Sequence, residues 1–90
     1  MTEANYRILY VKPVEKELRR LDATTRKRVV RNILALADNP RPRGVVKLSG
    51  IDNLYRIRRG AYRIIYEIRD GELIVLVVKV AHRRDVYRGL

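Results

Sequence analysis

The sequence predicts an α+β fold with the element order β-α-α-β-β-β, a small mostly antiparallel sheet with an N-terminal helical hairpin packed on one face. Three observations carry this expectation. A β-branched and aromatic run, Tyr6 to Val11, opens the chain; two segments with apolar residues at helical spacing follow; three strand-like runs then alternate with the turn signals Arg59-Gly60 and Asp70-Gly71. With 90 residues there is room for a single domain, 1-90, and no second one. A chain of this size buries only about 60 to 65% of its unfolded surface.

The first run, YRILYV, carries a single charge and reads as a strand that Lys12-Pro13 stops. Pro13 suits the first turn of a helix, Glu15 and Glu17 suit its positive N-terminus, and Val14, Leu18 and Leu21 recur at i, i+4 and i+7. Asp22 or Thr24 can cap a second helix with the apolar face Val29, Val30, Ile33, Leu34, Leu36 and Ala37. Arg26, Lys27, Arg28 and Arg31 fall largely on its other side, and Asn39-Pro40 ends it. Pro40 to Gly50 reads as an exposed connector. Strands from Leu54, from Ala61 to Ile68 and from Leu73 to Val80 complete the sheet, the last so apolar that both its faces should be covered.

Composition narrows the chemistry. Without cysteine there are no disulfides, thiolate nucleophiles or Cys-based zinc sites, and one histidine makes a His-based metal site an improbable arrangement, so no metal or cofactor is expected. The chain carries 21 Lys+Arg against 10 Asp+Glu, a formal charge of +11, which repels itself in the folded state unless a polyanion or acidic protein binds. Neither a signal peptide nor an apolar span is read in the sequence, so a cytoplasmic protein with no membrane partner is expected.

The hairpin LYRIRRGAYRIIY, Leu54 to Tyr66, concentrates that charge. If Arg59-Gly60 is its turn, Arg56 stands opposite Arg63, and Arg56, Arg58 and Arg63 share one face. Like charges opposed across a ladder destabilise it unless an anion lies between them, which points to phosphate binding by forked guanidinium groups. The alternative is that these arginines only solubilise the face and pair with Glu67 or an end carboxylate. With Asp70-Gly71 as the second turn, Arg63 lies opposite Val78 and Ile65 opposite Leu76, so the arginine face also carries Ile65, Leu76 and Val78. The opposite face, with Ile57, Ile64, Tyr66, Val75 and Val77, is then the helix-packed one. Beyond the last strand, His82-Arg83-Arg84-Asp85-Val86-Tyr87-Arg88 interleaves an aromatic with arginines, a composition that stacks a base while holding phosphates. A basic chain terminus without further role is its simpler reading. His82, placed at the sheet end, is a candidate for proton transfer near neutral pH. Lys47, Arg84 and Arg88 are further candidate RNA or phosphate ligands.

The element order, the YRIIY strand, the Asp-Gly turn and the ending HRRDVYR together resemble the RelE/ParE toxin superfamily, RelE-type toxins in particular, over Tyr6 to Arg88. The resemblance implies a RelE-like fold and the toxin of a type II toxin-antitoxin system, a ribosome-dependent endoribonuclease (mRNA interferase). Such a toxin cleaves mRNA in the A site by attack of the ribose 2′-hydroxyl, independently of metal. Carried over by position, Arg63 holds the scissile phosphate, Arg56 and Arg58 match the paired basic residues of the preceding strand, Arg83 is an acid or phosphate ligand, and Tyr87 stacks on a base. Because arginine does not deprotonate in proteins, the base would be His82, or else Tyr87. The partners implied are ribosome, mRNA and an acidic RelB-like antitoxin in a hetero-oligomer. A ParE-like gyrase inhibitor and a catalytically inert basic nucleic-acid-binding module are the alternatives.

Overall fold

A computed structural model describes residues 5–84. Strand β1 spans Arg7–Tyr10, helices α1 and α2 span Lys12–Arg20 and Ala23–Leu34, and strands β2 to β5 span Val46–Lys47, Leu54–Arg59, Tyr62–Arg69 and Ile74–His82. The sheet order is β1-β5-β4-β3-β2, with β1 parallel to β5 and every other pair antiparallel. The expected architecture is present, with one addition. The connector after α2 contains the two-residue strand β2, whose Val46 and Lys47 pair with Arg56 and Tyr55.

Local sequence explains the helices. Pro13 stands in the first turn of α1, and Asp22 caps α2 by accepting the Thr25 amide at 3.1 Å. Arg26 does not join the solvated face expected of it: its Nη1 donates to the Leu21 carbonyl at 2.9 Å, tying the start of α2 to the end of α1. Val14, Leu18, Val29, Ile33 and Leu36 bury the helical layer against Ile57, Ile64, Tyr66, Ile68, Val75, Val77 and Val80 of one sheet face. Leu34, expected within the apolar face, is instead 51% exposed, because α2 ends there and a 3₁₀ turn, Ala35–Ala37, rotates Leu36 inward.

Both hairpin turns differ from expectation, the first for its glycine and the second for the partners of Asp70. The β3–β4 turn centres on Gly60 and Ala61, not Arg59 and Gly60, so Arg59 pairs with Tyr62 and Arg58, not Arg56, stands opposite Arg63. Gly60 has φ 61°, and this register gives the left-handed position to glycine where the expected one would have forced an arginine into it. The β4–β5 connection is a 3₁₀ turn over Asp70–Glu72 followed by Leu73 at φ 55°, longer than the two-residue turn expected. Its register also shifts: Ile65 pairs with Lys79 and Tyr66 with Val77, leaving Val78 as a bulge. Arg63 therefore lies opposite Ala81, not Val78, and Ile65 opposite Lys79, not Leu76.

Asp70 is diverted from a tight turn by its partners. Arg41 grips both its oxygens, at 3.2 and 2.9 Å, and the Tyr6 hydroxyl donates to Oδ1 at 2.6 Å. Arg41 also lies 5.3 Å from the centroid of the Tyr55 ring, which stacks at 6.1 Å on Tyr66. The fully buried Tyr66 donates its hydroxyl proton to the Pro40 carbonyl at 2.7 Å. This cluster joins the start of β1, the connector after α2 and the β4–β5 turn.

Arg41, and then the Tyr6 hydroxyl, hold the Asp70 carboxyl at about 2, below its ordinary value. A depressed folded pKa stabilises the fold above the unfolded value near 3.9, and that contribution is lost as pH falls toward 2. Asp70→Asn is therefore expected to melt below wild type at neutral pH, with the gap closing between about pH 4 and pH 2 in thermal scans. A gap that persists at pH 2 would assign the loss to packing instead. Tyr66→Phe leaves the Pro40 carbonyl buried without its donor, so a loss of about 1 to 3 kcal/mol is expected in denaturant titration.

Candidate nucleic-acid interface

The second face of the sheet carries the arginines. Arg58 and Arg63 are directly opposed, and Arg56 shares their face opposite Ile65. Arg58 is exposed, while Arg56 and Arg63 are half-buried beside Ile65 and Ala81, which are 3% and 7% exposed. Leu48, Leu54 and Val78 pack on that apolar floor. The Arg63 Nε is buried with no hydrogen-bond partner among the described residues. A buried donor without an acceptor costs free energy that a bound anion would recover. Glu67, the acid invoked by the solubilising alternative, is held by Arg69 Nε at 2.5 Å, and neither Arg58 nor Arg63 has an ion pair among the described residues.

The bulge at Val78 decides which other candidates reach this face. It reverses the alternation of β5, so that Ala81 falls on the arginine side and His82, paired with Tyr62, falls on the helix side. His82 is thus not beside the three arginines, as the sequence had suggested. Its Nδ1 accepts the Arg84 amide at 3.2 Å and its ring meets Tyr62 edge-on at 5.5 Å. Once Nδ1 accepts, the neutral ring carries its proton on Nε2 and has no lone pair free to act as a base.

Arg83 is exposed just past β5, and its amide donates to the Ala61 carbonyl, close to Arg63 in sequence, at 2.7 Å. Lys47 pairs with Tyr55, so it belongs to the helix side at the edge of the sheet and is not brought to the arginines. Arg84 is exposed just past β5, while Tyr87 and Arg88 lie outside the described residues. Sequence reasoning passed over Lys79, which shares the arginine face opposite Ile65; its only signal was a single charge inside an apolar run.

Next to the arginines is an apolar groove of about 540 Å³. Leu48, Ile51, Leu54, Ile65 and Val78 form one wall and Pro13 of α1 the other, where β5 runs beyond its last partner on β1, Tyr10↔Val77. Ile51 is 59% exposed at its rim.

A short sheet with a helical layer on one face and opposed arginines on the other defines a small basic α+β protein. Residues 8–87 match the sequence profile of the ParE toxin of type II toxin-antitoxin systems, parDE. The chain is 32% identical over 76 residues to the mRNA interferase toxin RelE of Escherichia coli K12, covering 80% of this chain and 79% of that one. Its fold superposes with a TM-score of 0.77 on the archaeal RelE-RelB complex from Pyrococcus horikoshii, at 32% identity, covering 88% of this chain and 96% of that one. The intact E. coli RelBE toxin-antitoxin complex follows at a TM-score of 0.74 and 26% identity, over 86% of this chain and 95% of that chain. The chain belongs to the RelE/ParE toxin superfamily and is of the RelE type.

The opposition of Arg58 and Arg63 makes a stability prediction. Arg58→Ala and Arg63→Ala each relieve the same repulsion, so neither is expected to destabilise the fold, and the double variant should gain less than the sum of the two. A double-mutant cycle by urea unfolding is expected to give a coupling of about 0.5 to 1 kcal/mol. Strict additivity would mean that the two guanidinium groups do not feel one another.

Proposed function

We propose that this chain is the toxin of a type II toxin-antitoxin pair and acts as an endoribonuclease that cleaves mRNA in the ribosomal A site. The observation that carries this reading is the buried, unbonded Nε of Arg63 directly across the ladder from Arg58. That is a preformed pair of cationic forks awaiting one anion, in a relative of a protein named mRNA interferase.

In the proposed reaction the ribose 2′-oxygen forms a bond to the adjacent phosphorus and the 5′-oxygen leaves, giving a 2′,3′-cyclic phosphate and a 5′-hydroxyl, with no metal in the scheme. Arg63 holds the scissile phosphate, and Arg56 and Arg58 stabilise the charge that builds on its oxygens. Arg83 approaches from the end of β5 to neutralise the charge on the leaving oxygen, which takes its proton from water. Of the two candidate bases, His82 faces away with Nδ1 engaged, which leaves Tyr87, the residue also proposed to stack on a base. Orientation of the 2′-hydroxyl in the ribosomal A site supplies a further part of the rate.

The neutralising partner is an acidic antitoxin. Its apolar segment fits the groove beside Leu48 and Ile65, with carboxylates taking the place of phosphates at the arginines. Relatives of this fold are known in complexes with RelB.

The match to the ParE profile keeps a second reading in view, that of a gyrase poison. Induction in cells separates the two: loss of translated mRNA, mapped by primer extension, supports the ribonuclease, and DNA-damage signalling with intact mRNA supports the gyrase poison. Neither response would leave an inert binding module. Arg63→Ala is expected to lower cleavage on programmed ribosomes by on the order of 10²-fold or more while its melting temperature holds. Undiminished cleavage by the folded variant would remove Arg63 from the site.

A further inference from the structure

The reassigned His82 lies in a cleft that the proposed reaction does not use. Between α2 and the β3–β4 turn is a space of about 280 Å³, bordered by Arg28 and Asn32 on the helix and by Arg59, Tyr62 and His82 on the sheet. Its charged groups, Arg28 and Arg59, are both cations. Arg28 has no hydrogen bond or ion pair among the described residues, and the Arg59 guanidinium donates only to the Arg58 carbonyl, at 2.7 Å. No acid occurs anywhere in α2, and Asp22 before it is engaged with the Thr25 amide. The Arg84 amide on Nδ1 fixes the His82 tautomer so that Nε2 carries the proton, and the edge-on contact with Tyr62 steadies the ring.

The position of the cleft gives it a ligand. Ala81, one residue before His82, stands opposite Arg63, so the two faces meet at the end of β5. Tyr62 and His82 also border the adjoining hollow with Arg20, Lys79 and the acid Glu17, where β5 has run past β1. A strand of RNA leaving Arg63 can turn round this end and arrive at Arg28 and Arg59. An acidic protein is the poorer fit, because among the described residues no exposed large apolar one borders the cleft: Leu34 of α2 borders a separate hollow with Val30, and Ile51 lies beside Leu48 on the other face.

We infer that the cleft between α2 and the β3–β4 turn is a second RNA-backbone subsite, in which Arg28, Arg59 and His82 hold phosphates flanking the step bound at Arg63. The inference rests on the reading of the chain as an RNA-cleaving toxin and extends it to the path of the substrate strand. It makes the Gly60 turn a ridge that RNA straddles.

The test uses the isolated chain and a short single-stranded RNA with 2′-O-methyl groups throughout, which cannot react. Titration followed by NMR is expected to shift the Gly60 amide, the His82 ring and the Arg28 and Arg59 Nε–H signals along with those of Arg63. Single-strand binding loses about 0.7 in the slope of log affinity against log salt for each phosphate contact removed, so Arg28→Gln/Arg59→Gln should flatten the slope by about 1.4. His82→Gln should weaken binding with the slope unchanged, since a neutral donor releases no counterion. Signal changes confined to the arginine face, or an unchanged slope and affinity in a double variant that melts like wild type, would overturn the subsite. So would a double variant that loses only antitoxin binding. Arg63→Ala run in parallel separates the two readings. If it loses binding and cleavage while the Arg28/Arg59 variant loses neither, the cleft is rejected and the ribonuclease stands. If the Arg28/Arg59 variant loses RNA affinity while Arg63→Ala retains both binding and cleavage, the cleft stands and the role given to Arg63 falls.

Discussion

The register of β4 against its two neighbours governs both faces of the sheet. Because side chains alternate, a slip of β4 by one residue would send Ile64 and Tyr66 to the arginine side and Arg63 into the helical layer. Two local features prevent it. Gly60, at φ 61°, sets β3 against β4, and the extra residue Val78 sets β4 against β5. Val78 also ends one alternation and starts another, so that Val77 and Val80, three residues apart, both reach the same core. Without the bulge, Val80 would fall on the arginine face and Ala81 would lose its place opposite Arg63.

Holding two guanidinium groups across a ladder works against stability, and the fold offsets it elsewhere. The helical layer supplies a core in which Ile33, Ile64, Tyr66, Val75 and Val77 have no measurable exposure. Arg41, Asp70, Tyr6 and Tyr66 supply a polar tether on the far side of the molecule from the Gly60 turn. The stabilising contacts are thus concentrated away from the arginine face, where Arg63 Nε is a buried donor with no partner among the described residues. An anion meeting a site held this way would find it already formed, so little of the binding free energy would be lost to ordering it.

Most of the fold was legible because it is written in local patterns: the i, i+4 spacing of Val14 and Leu18, the Asp22 cap, and the β-branched runs. Face assignment survived a wrong turn because displacing the β3–β4 turn by one residue moves the pairing by two, which preserves parity. That is why Arg56, Arg58 and Arg63 do share a face although the opposed pair is Arg58 and Arg63. What escaped was non-local. No pattern in LIVLVVKV marks Val78 as the bulged residue, so Leu76 was rightly placed on the arginine side while His82, beyond the bulge, was not. Likewise Asp70-Gly71 looked like a two-residue turn because Arg41, which captures Asp70, is 29 residues away. The connector hid β2 for the same reason: Val46 and Lys47 are a strand only because β3 lies beside them.

The bulge also explains how a single strand end can serve two surfaces. In an unbroken β5, Ala81 would take the helix side and His82 would project among the arginines as a further cation or base. With Val78 inserted, the residue opposite Arg63 becomes Ala81, too small to fill the space above the guanidinium groups, and the imidazole moves to the helix side. The donor that would have stood among the arginines instead borders the cleft with Arg28 and Arg59. One extra residue in β5 thereby changes a crowded basic surface into two that follow one another round the end of the sheet. Two such surfaces would favour a chain of phosphates over an isolated anion, because a polyanion gains from every cation it meets in sequence.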